Sequence, residues 1–125
     1  MAIDRVTLIV SDRDRAEDDY VTTFGCRVEQ RGDIDPSLIH VLCVRQARGR
    51  RSLLRLGREK IELLEFTDSA GRPYPPDSTS TDIWFQHMAI VVADMPQAHR
   101  RVWPTGVSAP SAATVRCGYR MTPEA

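Results

Sequence analysis

Three residues carry the groups from which a site could be built: Arg5, Glu62 and His87. An imidazole can ligate a metal or pass a proton near neutral pH. A carboxylate among apolar neighbours is costly to bury unless a partner or a function holds it there. A guanidinium is charged at any relevant pH, so it receives oxygens and cannot lend a lone pair to a metal. Each has a plainer reading beside the chemical one. His87 could be a satisfied strand histidine at the edge of the core, and Glu62 could simply be salt-bridged to Arg5.

What relates these residues is an echo within the chain. Residues 3–12 overlay residues 85–94 without a gap, at an offset of 82, so that Ile3/Phe85, Val6/Met88, Leu8/Ile90, Ile9/Val91 and Val10/Val92 are apolar in both. Both segments end in an aspartate able to cap a helix, and a helix-like segment follows each. The pattern reads as a duplicated module. The same overlay sets Arg5 opposite His87, and because a strand shows alternate side chains to one face, the two would look into equivalent places.

The elements that must position them follow in order. Residues 3–10 read as a strand. Ser11 or Asp12 caps a helix over residues 13–24, with Ala16, Tyr20 and Phe24 facing the sheet and Gly25 closing it in the left-handed conformation. Residues 26–31 form a second strand. Asp35-Pro36 opens a short helix through Leu42, in whose apolar run Cys43 is expected buried and inert. Residues 45–51 are a basic loop, and residues 53–56 and 61–66 are two strands joined by a turn at Gly57. The Pro- and Ser-rich residues 67–83 are a linker. Residues 84–94 form the strand bearing His87, Asp94 and Pro96 start a helix ending near Trp103, and residues 115–121 offer one more strand.

At 125 residues the chain is one domain. It comprises a first module over 3–66, the linker, and a partial second module over 84–125, since an equal second copy would reach position 148. Lys plus Arg and Asp plus Glu balance at 17 each, so no global field favours nucleic acid or an anionic membrane. Cys26, Cys43 and Cys117 lack paired spacing, which argues against a disulfide framework or zinc knuckle. No apolar run approaches the ~20 residues of a membrane span, and no leader precedes Ile3. The expectation is a soluble, unprocessed, cytoplasmic protein.

A duplicated strand-helix-strand-strand-strand unit, with Trp84-Phe-Gln-His-Met-Ala-Ile-Val-Val-Ala-Asp-Met95 and Lys60-Ile-Glu-Leu-Leu-Glu-Phe66 as its sharpest motifs, resembles the vicinal oxygen chelate superfamily. That group includes glyoxalase I, extradiol dioxygenases and bleomycin-resistance proteins. The resemblance implies an α+β fold of paired βαβββ modules, the second incomplete. It also implies metal ligands from the first and last strands of each module. Carried over, these positions fall on Arg5, Glu62, His87 and residue 144, which lies past Ala125. His87 and Glu62 are thus the implied ligands of a divalent Ni, Zn, Fe or Mn ion. Glu124 could stand in for the missing carboxylate only in a drastically shortened module.

The implied activity is that of a lyase, isomerase or dioxygenase on a small oxygenated substrate, with Glu62 moving a proton. The alternative is a metal-free binding protein like the bleomycin-resistance members. In that reading Arg5 fills the metal's space against Glu62 or binds a ligand carboxylate, while Trp84 and Phe85 line the cup. Glu65 falls on the opposite face from Glu62. The arginines at 48, 50, 51, 55 and 58 are an anion site or a solvated loop, with the loop favoured. Trp103 is expected to pack, and His40 and His99 are given no role. The incomplete module should expose sheet edges that a homodimer covers. A third reading is a product whose native tail differs from residue 108 onward.

Overall fold

The apolar opening segment becomes a strand where it finds a partner. β1 (Val6–Ile9) runs parallel to β4 (Glu59–Phe66), with Val6 opposite Ile61, Thr7 opposite Glu62 and Ile9 opposite Leu64. β3 (Gly49–Leu56) pairs antiparallel with β4 through the two-residue turn Gly57-Arg58, and β2 (Arg27–Asp33) pairs antiparallel with β3 across a bulge between Val28 and Gln30. The sheet order is therefore β1-β4-β3-β2. The computed structural model describes residues 2–44, 47–68, 71–73, 75–79, 81–84 and 87–102. It falls into two units, Met1–Ala93 and Asp94–Ala125.

Between β1 and β2, α1 (Arg13–Asp19) starts as its capping residue dictates: the Asp12 side chain accepts the Arg15 N–H at 3.0 Å. The helix widens over Tyr20–Phe24 into a π-helical turn. There Thr22 Oγ1 donates to the Asp18 carbonyl at 2.8 Å, and this competition for a helix carbonyl accompanies the loosened ladder. Gly25, at φ 73°, closes it as expected. Ala16, Tyr20 and Phe24 pack on a core of Cys26, Leu54, Ile61 and Leu63. α2 (Pro36–Val41) is opened by Asp35, which accepts the Ser37 N–H at 2.7 Å.

Both faces of the central strands are buried, which is why the pairs Leu53-Leu54 and Leu63-Leu64 read as continuous apolar runs. Where β3 begins, a Cβ on Gly49 would stand 2.2 Å from the Glu65 carbonyl oxygen and 2.5 Å from Ile34 Cδ1, so the crossing admits only glycine. The two sheet edges differ. β2 is edged by charged and polar side chains, whereas β1 exposes Val6 and Ile9.

Beneath α1 lies a polar network. Glu17, 8% exposed, takes Arg31 Nη2 at 2.6 Å and Nε at 3.0 Å, a short hydrogen bond from Ser52 Oγ, and Arg13 Nη1 at 3.3 Å. Arg13 Nη1 also donates to Ser52 Oγ at 3.1 Å, while its Nε is buried without a hydrogen bond. Glu65, on the face away from Glu62 as expected, accepts Arg50 Nη2 at 2.6 Å and the Arg13 backbone N–H at 3.1 Å.

Three expectations are corrected. The basic loop ends earlier than residue 51, because Arg50 and Arg51 belong to β3 and point to opposite faces. Cys43 is exposed rather than buried: it follows α2 in a left-handed conformation, φ 55°, that turns the chain outward. Residues 87–93 form no strand. β1 owes its ladder to β4, and among the described residues the corresponding segment has no such neighbour, leaving Val91 82% exposed. What the described residues contain is one complete βαβββ module in an α+β fold, followed in the second unit by α3 (Met95–Val102), whose first turn is capped by Asp94 accepting the Gln97 N–H at 2.8 Å. The expected strand at 115–121, and Trp103, lie outside the described residues. No helix among the described residues is long and apolar enough to cross a membrane.

Hydrogen bonds from Arg31 hold the Glu17 carboxyl below its ordinary value of 4.5, against the opposing effect of burial and with help from Ser52 and the Arg13 charge. A depressed carboxylate stabilises the fold fully above its unfolded value, and that contribution disappears as pH falls through the folded value. Glu17→Gln should therefore cost about 2 kcal/mol at pH 7, by leaving buried Arg13 with only the exposed Asp14 carboxylate, 2.7 Å from its Nη2, as counter-charge. It should also flatten the acid limb of stability. Urea unfolding of both proteins between pH 7 and pH 3 measures this, and parallel pH profiles would contradict it.

Candidate functional site

Strand alternation sends Ile61 and Leu63 toward α1 and Glu62 to the other face. Thr7, its register partner on β1, donates Oγ1–H to Glu62 Oε2 at 3.0 Å. Just ahead of β1 and two residues before Thr7, Arg5 brings Nη1 to 3.6 Å from Glu62 Oε1. From β3, Arg51 brings Nε to 3.3 Å of the same oxygen and donates Nη2–H to Gln30 on β2 at 3.4 Å. A polar row thus crosses all four strands, with a carboxylate only 1% exposed at its centre and two guanidinium groups beside it.

The Arg51–Glu62 contact is an ion pair by proximity rather than an aligned hydrogen bond, since the buried Arg51 Nε–H finds no acceptor along its own direction. Arg5 likewise makes its contacts to Glu62 and, at 3.3 Å, to Asp4 as ion pairs. Asp4 also accepts from Lys60 Nζ at 3.3 Å.

Of the residues singled out in the sequence, Arg5 and Glu62 come together. His87 is exposed, whereas Glu62 is buried. Trp84 is 48% exposed and donates Nε1–H to Ser78 Oγ at 3.3 Å, a contact local to its own turn and not one of core packing. Phe85 and Glu124 lie outside the described residues. The arginine cluster at 48–58 is not a loop along its whole length, and three of its members have carboxylate partners within the chain. Arg50 binds Asp14 and Glu65, Arg51 binds Glu62, and Arg55 binds Glu29, whose carboxyl is held low by that hydrogen bond.

The residues do not fit a resident metal. One Glu62 oxygen faces two guanidinium groups and the other accepts from Thr7, so both oxygens are already engaged by groups of the chain, and a metal ion at Oε1 would meet two positive charges. Among the described residues no three His, Cys, Asp or Glu side chains converge as a metal-binding group. Thr7 and Gln30 were missed in the sequence, and Arg51 was assigned to the basic loop rather than to the side of Glu62. Alternation from Arg5 would have found Thr7, and a strand start at Gly49 instead of Leu53 would have put Arg51 on the Glu62 face.

No protein-family model matches the chain, and no curated protein does. Solved structures do. The crystal structure of a glyoxalase family protein from Bacillus cereus is similar over 83% of this chain and 71% of its own, with a TM-score of 0.68 at 16% identity. The crystal structure of SMU.1112c is similar over 85% of this chain and 75% of its own, with a TM-score of 0.50 at 20% identity. The fold is glyoxalase-like, of the vicinal oxygen chelate type. At these identities the likeness is one of fold.

The two guanidinium groups should differ in weight, because the Arg51 side chain is 16% exposed and that of Arg5 is 40% exposed. Arg51→Met should cost about 3 kcal/mol by leaving Glu62 short of its more deeply buried counter-charge. Arg5→Met should cost under about 1 kcal/mol. Arg51→Met combined with Glu62→Leu should recover most of the loss. Denaturant midpoints at pH 7 check the order, and an equal cost for the two single variants would contradict it.

Proposed function

We propose that this chain is a metal-free, glyoxalase-like small-molecule-binding protein in which guanidinium groups stand where metal-dependent relatives would hold a cation. The observation that carries the reading is the buried Glu62 carboxylate enclosed by Arg5, Arg51 and Thr7. A fixed cation of this kind does one thing a divalent metal does: it places positive charge beside the oxygens of a ligand. It does not lower the pKa of bound water, and a Glu62 carboxylate already engaged at both oxygens is poorly placed to move a proton. Lyase, isomerase or dioxygenase chemistry through Glu62 and His87 has no comparable support, since one is buried and the other exposed.

The ligand class is a small oxygenated molecule, with Arg5 as the cation that meets it. Arg5 is the accessible member of the pair, and its contacts leave its donors without an aligned acceptor among the described residues. Exposed Ile9 toward the end of the edge strand β1 supports a homodimer formed there, rather than along the charged edge of β2.

Elemental analysis of protein purified without chelator should find Ni, Zn, Fe and Mn well below one equivalent, and adding these ions should leave the melting temperature unchanged. Stoichiometric metal that is lost on Glu62→Ala and on His87→Ala would overturn the reading in favour of the enzyme.

A further inference from the structure

Where β1 begins and the β3–β4 hairpin turns, three pieces of chain enclose a recess of about 590 Å³. Its walls are apolar: Ile3 from the segment before β1 and Val6 from its first position, Leu56 and Ile61 from the hairpin, and Met88 and Ile90 from the segment that follows the linker. Arg5 and Lys60 stand at its rim with Glu59, and Asp4 joins them through its contacts to both cations. The volume is that of a small-molecule site. The lining is unsatisfied as it stands, since Ile3 is 79% exposed and Met88 37% exposed.

We infer that this recess binds an amphipathic monocarboxylate, its apolar body against the Ile3, Leu56 and Met88 walls and its carboxylate on Arg5. The inference rests on the reading of Arg5 as a ligand-receiving cation and adds the place and the chemical class. Two observations select the class. The Arg5 guanidinium has ion-pair contacts through Nε and Nη1 but no aligned hydrogen bond to a described residue, so its N–H donors, Nη2 first among them, remain able to receive a carboxylate. Lys60 is already hydrogen-bonded to Asp4, and with Glu59 at the same rim a second negative charge on the ligand would be repelled. A single charge on a planar group is favoured over a phosphate, and an apolar body over a sugar or a polyol.

Octanoate, octanol and octyl phosphate serve as probes, titrated into the full chain by calorimetry and by amide-shift mapping. Octanoate is expected to bind saturably, to shift amides in residues 3–6, 57–61 and 88–91, and to bind more tightly than octanol or octyl phosphate. Arg5→Gln, a change at a half-exposed position, should weaken octanoate about tenfold and leave octanol unchanged. Absence of saturable octanoate binding, shifts confined to other residues, equal affinity for octanol, tighter binding of octyl phosphate, or an unchanged Arg5→Gln variant would each overturn the assignment. The shift map stays decisive should a variant fail to fold. Metal content is measured separately, so stoichiometric metal would defeat the metal-free reading whatever octanoate does, and a silent octanoate titration would leave that reading standing.

Discussion

The parallel pairing of the first strand with the last is the constraint from which the module's other features follow. It sets Thr7 beside Glu62 and Leu8 beside Leu63, so one register builds the site on one face and closes the core on the other. Because β1 and β4 are parallel, no hairpin could join them, and the intervening α1, β2, α2 and β3 are the long connection that such a pair requires. Gly49 and Ile34 fit together where that connection returns to the sheet, at a spacing that leaves no room for a side chain.

Each face then carries its own arginine–carboxylate network, and they differ in what they accomplish. The Glu17 group, with Arg31, Arg13 and Ser52, ties α1 to the sheet and gives each carboxylate oxygen an aligned donor, although Arg13 Nε has no acceptor. The Glu62 group is less completely satisfied: it holds a buried anion between cations that reach it by proximity more than by alignment. A buried ion pair of this sort contributes little net stability, because desolvation offsets the attraction. A buried carboxylate at the centre of the row, with an accessible guanidinium beside it, gives the group interest as a binding feature rather than as a brace.

Much of the module was legible in the chain because its signals are local. The Asp12 cap, Gly25 at the helix end, Asp35-Pro36 opening α2 and the turn at Gly57 each depend on a few neighbouring residues, and each is found where the chemistry placed it. The Arg5–Glu62 contact was also foreseen, as the plain reading of two charged residues on first and last strands. What was not legible depends on distant partners. Residues 87–93 have the apolar run of β1 but not, among the described residues, its neighbour, and a strand without a neighbour does not form a ladder. Arg50 and Arg51 looked like a loop because charge dominates their composition. Only the pairing of β3 with β2 and β4 shows that they alternate between the two networks.

The central claim is that the carboxylate of Glu62 is neutralised by guanidinium groups and not by a metal. Crystals grown or soaked with Mn²⁺ and measured for anomalous scattering would test it directly. The account predicts Arg51 Nε about 3.3 Å from Glu62 Oε1 and no anomalous peak at the carboxylate. A peak roughly 2.0–2.3 Å from a Glu62 oxygen, with Arg5 and Arg51 swung away from it, would contradict the account.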